Sequence, residues 1–448
     1  MSALDGTLQL ATIGGVTAGR VAAAGICADL RSGEMLDDTF ARRAAGLDAR
    51  DRRWLRELMY GMLRQRGMLD AILAERVRGG LGRIDADLLD LMRLGVYQLL
   101  HMGSVPAYAA IAQTVELAKV RHGIGASKLM NAVLRRIDRE RDALAVPVPV
   151  ELVDALAMKH SHPRWLVARW LSRWGEEEAT VLLMKNNAEA PVVIRPYGVV
   201  REQLEAMLEA LAIGVEDAPL VADSIQITGG ISLTELGAFK QGLFFVQDPG
   251  STLVTRYAAI PAGAFVADLC AAPGGKALEL TRTAGLVLAA DRSPQRLKRL
   301  LDNRARLEAG NLVVAVGDAR HPVVRDADAV LVDVPCTGTG TFRRHPDARW
   351  RLKVSDISVM AALQTTILRA AAECVRPGGL LIYSTCSLEP EENDARIDDF
   401  LARNPAWTLE PPPQGAVPAG VIDRGFLRVL PQVHGSDGAF AARLRRRQ

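Results

Sequence analysis

Between residues 264 and 383, five near-continuous apolar runs of strand length (265–270, 286–290, 312–316, 329–334 and 380–383) alternate with helical stretches. Strands this uniformly apolar are buried on both faces, and alternation with helices makes their pairing parallel, because a parallel partner is reached only through a crossover. The segment therefore folds as a doubly wound α/β sheet. In such a sheet the carboxyl ends of the parallel strands open on one edge, where ligands bind. Residues at those ends are the first place to look for chemistry.

At 448 residues the chain exceeds one core, and two to four domains of roughly 100–200 residues each are expected. Residues 17–143 read as entirely helical. Leu88, Leu91, Met92, Val96, Leu99 and Met102 recur at helical spacing, with Asp85 as N-cap and Gly103 as the stop. Similar periodicity over 53–77, 107–120 and 128–137, broken by Gly and Pro, predicts a compact helical bundle. Pro147 and Pro149 mark a linker. Residues 151–245 then form a small α/β subdomain, with strands at 191–195 and 225–228 around a helix at 202–211. Residues 246–448 form the doubly wound domain.

Hydrophobic residues at 49% and charged residues at 24% are the balance of a soluble globular protein. No stretch reaches the roughly 18 uncharged apolar residues of a membrane helix. The apolar opening at 8–16 has Asp5 before it and lacks the basic start of a signal peptide, so no membrane and a cytoplasmic location are expected. A net charge of +3 does not mark a nucleic-acid binder; the positive charge is local and mostly arginine. Five cysteines, at 27, 270, 336, 374 and 386, show no CxxC spacing. That argues against a disulfide framework and against a metal site.

The first run ends in Asp268-Leu269-Cys270-Ala271-Ala272-Pro273-Gly274-Gly275-Lys276. A small-residue turn of this kind lets a ligand approach the backbone. It is not a P-loop, because Cys270 stands at the first glycine position and Ala277 at the hydroxyl position, and the dinucleotide G-x-G-x-x-G is absent. Asp291 closes the second strand, Asp318 follows the third and Asp333 sits near the end of the fourth. Singly, each is as well explained as a turn or cap residue. Together they suit a ligand with ribose hydroxyls, an amino-bearing base and a positive charge. S-adenosylmethionine has all three.

Cys336 and Cys386 would lie at this same edge. Cytosine C5 is too weak a nucleophile to take a methyl group unaided. A thiolate adding at C6 makes C5 enamine-like, after which C5 loses its proton and the thiolate leaves. Asp333, three residues before Cys336, is placed at the N3 edge of such a base. Two thiols ending two strands in polar loops are poorly explained as buried hydrophobes, whereas Cys27, Cys270 and Cys374 sit in apolar contexts. The residues alone do not say which cysteine attacks.

The stretches DLCAAPGGK, DVPCTGTGTFRRHPDARW and YSTCSLEPEEN resemble the signature blocks of bacterial 16S rRNA (cytosine-C5)-methyltransferases of the Sun/RsmB type. LGVYQLLHMGSVPAYAAIAQTVELAK and LMNAVLRR are similar to the NusB-like RNA-binding domain fused to those enzymes. The resemblance runs from about residue 17 to 444. It implies a NusB-like helical domain, a linker subdomain and a Rossmann-like class I methyltransferase with a mainly parallel sheet. It makes Cys386 the nucleophile and Cys336 the residue assisting adduct release. It puts Ala271, Ala272, Pro273, Gly274, Gly275, Lys276, Asp291, Arg296, Asp318 and Asp333 against S-adenosylmethionine, with Asp333 also near the cytosine. Ala277, Val334 and Ala439 depart from the usual pattern, and none is a reactive group.

Arg343, Arg344, His345, Arg349 and Trp350 follow Cys336 closely and are expected to hold RNA phosphates and stack on a base. The helix 296–307 reads as a solvated face, and Arg443 with 445–447 as a basic tail on phosphate or a frayed end. The expected partner is 16S rRNA before or during small-subunit assembly, not DNA, and the protein is expected to act as a monomer. Two other readings remain: the same chemistry on tRNA, which a NusB-like domain disfavours, and a non-catalytic RNA-binding or antitermination factor, which the intact thiols disfavour.

Overall fold

The computed structural model describes residues 15–229 and 232–448; most of the apolar opening at 8–16 lies outside them. The chain divides into two compact units, one running to Ala188 and including Arg344–Arg351, the other comprising Glu189–Arg343 and Leu352–Gln448. Among the described residues no helix is long and apolar enough to cross a membrane.

The first unit is helical: α1 (Ala18–Arg31), α2 (Leu36–Arg43), α3 (Ala49–Ala74), α4 (Ala86–His101), α5 (Ala107–Arg139), α6 (Leu152–Lys159) and α7 (Arg164–Asn187). Asp85 caps α4 as its spacing predicts, its carboxylate accepting from the N–H groups of Asp87 and Leu88. Leu88, Leu91, Met92, Val96 and Leu99 are all buried on its inner face. Gly61 on α3 is required by the approach of α4, since a Cβ there would stand 1.8 Å from the Tyr97 hydroxyl. The unit continues past the prolines at 147 and 149, because α7 buries Leu166, Val167, Trp170, Leu182 and Leu183.

The segment Arg344–Arg351 belongs to this helical unit. Arg349 is fully buried. Its guanidinium donates to Asn187 Oδ1 at 2.7 Å, to the Asn186 carbonyl at 3.0 Å and to the Ser161 carbonyl at 3.3 Å, against the His162 ring at 3.1 Å. Burial, then the Arg349 charge, holds His162 well below the usual imidazole range, so it stays neutral. Trp350 donates its indole N–H to the Leu63 carbonyl at 2.8 Å and packs on the helical core. Both side chains have their partners inside the helical unit. His345 stands 3.3 Å from Asp37 and is half-exposed.

The second unit holds two sheets. The smaller comprises β1 (Val192–Pro196), β2 (Gly214–Asp217), β3 (Ile225–Thr228) and β4 (Phe244–Val246), ordered β2-β3-β1-β4 and antiparallel throughout. With α8 (Arg201–Glu209) it encloses Ile194, Leu204, Leu208, Ile225 and Phe244. The larger sheet contains β5 (Phe265–Asp268), β6 (Leu286–Asp291), β7 (Leu312–Val316), β8 (Ala327–Asp333), β9 (Val375–Thr385), β10 (Trp407–Leu409), β11 (Ile422–Asp423), β12 (Phe426–Val429) and β13 (Ala439–Arg446). Its order is β11-β12-β13-β9-β8-β5-β6-β7, with β10 also on β13.

Strands β5 to β9 are parallel, as the apolar runs predict, and β13 adds antiparallel to β9. The chain begins in the middle at β5, winds outward to β7 and returns to β8 on the other side. The topological switch point therefore lies between β5 and β8.

The basic end of the chain is strand rather than tail. Arg443 is buried, donating to the Ala258 carbonyl at 2.9 Å, and Arg445 pairs with Glu410 at 2.7 Å. Ala439, where an aromatic is usual in the resembled family, is the first residue of β13 and pairs with Val429.

Arg349→Ala leaves an amide and two carbonyl acceptors buried without a donor and is expected to cost about 2–4 kcal/mol. A urea midpoint shift of that size checks this. An unchanged midpoint would show that the buried network contributes nothing to the helical unit.

Candidate active site

The turn after β5 is built to be tight. Gly274 has φ +111°, and a Cβ there would meet Leu300 Cδ1 at 2.2 Å, so the position accepts only glycine. The turn leads into a short helix, Gly275–Leu280. Asp291, at the end of β6, buttresses the turn from below: its Oδ2 accepts from the Ala272 N–H at 3.2 Å and its Oδ1 from the Ser293 N–H at 2.9 Å. Arg296 donates to the Ala272 carbonyl and lies 3.8 Å from Asp291. Asp318 follows β7 and pairs with Arg320 at 2.5 Å, which lowers its pKa to about 2.

The sequence reading passed over Asp268, which ends β5 directly beneath the turn. It is buried, its Oδ1 accepts from the Cys270 N–H at 3.3 Å, and its Oδ2 has no partner among the described residues. Burial, then the nearby Asp333 charge, raises its pKa to about 7. The available signal was position: an acidic residue closing an otherwise apolar strand.

Across the switch point, Asp333 ends β8. Its Oδ2 accepts from Lys276 Nζ at 2.7 Å and its Oδ1 from the Ser384 hydroxyl at 2.8 Å. Burial works against the charge on Lys276, but Asp333 outweighs it and keeps the ammonium protonated. One carboxylate thereby joins the cofactor turn, the fourth strand and the fifth.

The two loops that follow β8 and β9 bring their thiols together. Cys336 Sγ lies 3.3 Å from Cys386 Sγ. The hydrogen bond with Cys386, then burial, holds the Cys336 thiol well above the usual thiol range. The loops also cross at the backbone: the Gly340 N–H donates to the Cys386 carbonyl at 3.0 Å, and the Gly438 N–H donates to the Gly340 carbonyl at 2.8 Å. Burial raises the thiols of Cys27, Cys270 and Cys374, which suits them to packing rather than attack.

Arg343 does not reach outward either. It is buried between Asp437 at 2.6 Å and Asp248 at 3.2 Å and donates to the Gly435 carbonyl at 3.0 Å. Its charge fastens the loop after Cys336 to the start of β13 and is neutralised there.

A doubly wound sheet with a glycine turn, carboxylates at its strand ends and no P-loop is a Rossmann-like methyltransferase domain. Residues 259–445 match the family described as 16S rRNA methyltransferase RsmB/F, residues 18–139 the NusB family, and residues 162–234 the ferredoxin-like domain described as RsmF/B-like. A probable ribosomal RNA small subunit methyltransferase B from Synechocystis is 33% identical over 410 residues, covering 88% of this chain and 91% of its own. The chain belongs to the RsmB/F family and is an S-adenosylmethionine-dependent RNA methyltransferase.

The ribosomal RNA small subunit methyltransferase B of Vibrio vulnificus is 35% identical, with 84% and 89% of the two chains covered. The crystal structure of the protein PH0851 matches with a TM-score of 0.80 at 27% identity, covering 95% of this chain and 98% of that one.

Asp268 supplies a pH signature. Its folded-state pKa of about 7 lies above the usual carboxyl value, so the folded protein holds a proton that the unfolded chain releases above about pH 4. Stability from this group is full below pH 4 and falls as pH rises toward 7, by at most about 1.4 kcal/mol per pH unit. Asp268→Asn is expected to remove that slope. The check is the difference in denaturant midpoint between variant and parent at pH 5 and pH 8. Parallel pH profiles would contradict the assignment.

Proposed function

We propose that the enzyme methylates C5 of a cytosine in 16S rRNA, before or during small-subunit assembly, through a covalent adduct on Cys386 that Cys336 helps to release. The observation that carries this reading is the 3.3 Å approach of the two sulfurs at the same sheet edge as the Lys276–Asp333 pair.

The cofactor turn fits S-adenosylmethionine on the chemistry of its donors. Asp268 Oδ2, without a partner among the described residues, and the carboxylates of Asp291, Asp318 and Asp333 suit hydroxyls, an amino group and a positive sulfur. Arg296 holds the backbone of the turn at Ala272. When bound, S-adenosylmethionine supplies the electrophilic methyl group.

The protein's own residues make cytosine able to accept it. The Cys386 thiolate adds to C6, forming an S–C6 bond and moving the C5–C6 π pair toward C5 and N3. The Lys276–Asp333 pair holds a proton at the edge where N3 takes on charge. Cys336 lies beside the attacking sulfur, and the family resemblance gives the attack to Cys386. Once C5 is methylated, loss of the C5 proton and return of the S–C6 pair to Cys386 expel the product, with one proton released per turnover. Cys336 lies beside the departing sulfur and assists it. Arg344 and His345, in the basic segment after Cys336, are assigned to RNA.

The test uses undermodified small-subunit rRNA with S-adenosylmethionine. Cys336→Ala is expected to accumulate a denaturation-resistant protein–RNA adduct, and Cys386→Ala to make neither adduct nor 5-methylcytosine. Methylation by Cys386→Ala would overturn the nucleophile. Binding of the rRNA by wild type without any methylation would overturn the substrate.

A further inference from the structure

Glu392 is fully buried in the one-turn helix Pro390–Glu392, just past the Cys386 loop. Its Oε1 accepts from the Thr337 N–H at 2.9 Å and from Gln364 Nε2 at 2.9 Å. Its Oε2 accepts from the hydroxyls of Thr337 and Ser387. Thr337 is the residue after Cys336 and Ser387 the residue after Cys386. One carboxylate therefore grips the backbone and side chain next to one thiol and the side chain next to the other.

The carboxylate is itself held in place. The Tyr383 hydroxyl donates to the Glu392 carbonyl at 2.6 Å. The next residue, Asn393, accepts from the Thr385 hydroxyl at 2.6 Å and donates to the Ser387 carbonyl at 2.8 Å. Gln364 also donates to the Pro335 carbonyl at 2.9 Å, holding the Cys336 loop from its other side.

Burying a carboxylate is costly, and burial raises the pKa of this one. A residue that merely filled the space would be apolar or an amide. What a carboxylate adds is acceptor capacity for four donors arriving from two loops and a helix at once.

We propose that Glu392 is a positioning residue that sets the distance between the two thiols, acting through Thr337 and Ser387 without touching substrate. This rests on the reading in which both thiols act on the substrate, but the geometry can be tested without RNA and without methyl transfer. A change in thiol separation alters how fast the pair oxidises. Diamide, an azo oxidant, takes two electrons and two protons from Cys336 and Cys386 to form their disulfide and its own hydrazine, and the sulfurs must close from 3.3 Å to about 2.05 Å.

The experiment is diamide oxidation of the full-length protein, with the Cys336–Cys386 disulfide followed by peptide mass mapping. Glu392→Ala is expected to slow cross-linking about tenfold, the weight of one charge-assisted hydrogen bond. S-adenosylmethionine binding should stay near wild type, while the thermal midpoint falls because four buried donors lose their acceptor. Glu392→Gln keeps acceptor capacity for the Thr337 N–H and is expected to recover most of that rate. In the methylation assay kcat should fall with the KM for RNA unchanged.

If Glu392→Ala does not fold, Ser387→Ala and Thr337→Val carry the test, each removing one hydroxyl donor, with about threefold slowing expected. A folded Glu392→Ala, or either hydroxyl variant in its place, that cross-links at the wild-type rate overturns the proposal. Failure of the covalent chemistry would appear instead in the adduct-trapping assay and would leave the cross-linking rates as expected.

Discussion

Lys276 Nζ and Asp333 Oδ2, 2.7 Å apart, form the contact on which the rest of the site depends. The pair spans the switch point, joining the turn after β5 to the end of β8, and through Ser384 it reaches β9. A partly buried ion pair is most favourable when its remaining hydrogen-bonding capacity is also met, and here the second carboxylate oxygen has its own donor. Three carboxyl groups crowd this edge, and the charge is kept manageable because Asp268 is pushed toward its neutral form. Turn, strand ends and thiol loops are consequently one electrostatic unit. A change in any of them is felt in the others.

The α/β framework was legible because burial on both faces writes itself as uninterrupted apolar runs. All five anticipated runs are strands of the large sheet, pairing in parallel. Strands without that signal escaped. Of these, β2 is largely exposed, β4 has three residues and β11 has two. The last strand, β13, runs from alanines into Arg443, Arg445 and Arg446 and reads as a basic tail. It is a strand because Arg443 and Arg445 find Glu410 and backbone carbonyls inside the fold. Pairing partners distant in sequence carry no local signature.

The site divides in the same way. Thiols, glycine turn and strand-end aspartates were visible because residue type and strand position together imply chemistry. Proximity to Cys336 in sequence points Arg343, Arg349 and Trp350 toward RNA, and in the fold each has partners in the interior. A guanidinium offers five donors and serves a buried cluster of carbonyls as well as it serves phosphate. Sequence spacing cannot distinguish these uses. Glu392 was hidden for the complementary reason: in a run of acidic residues it looks solvated, and only the folded loops reveal four donors converging on it.

The central claim is that Cys386 bonds to C6 of a cytosine while C5 is methylated. The most direct measurement replaces cytidine with 5-fluorocytidine in a small-subunit rRNA fragment, so that no C5 proton is available to be lost. Wild-type enzyme with S-adenosylmethionine is expected to become trapped in a complex whose mass includes one transferred methyl group and whose RNA maps to Cys386. Attachment at Cys336, or methylation of that fragment with no covalent complex, would contradict the claim.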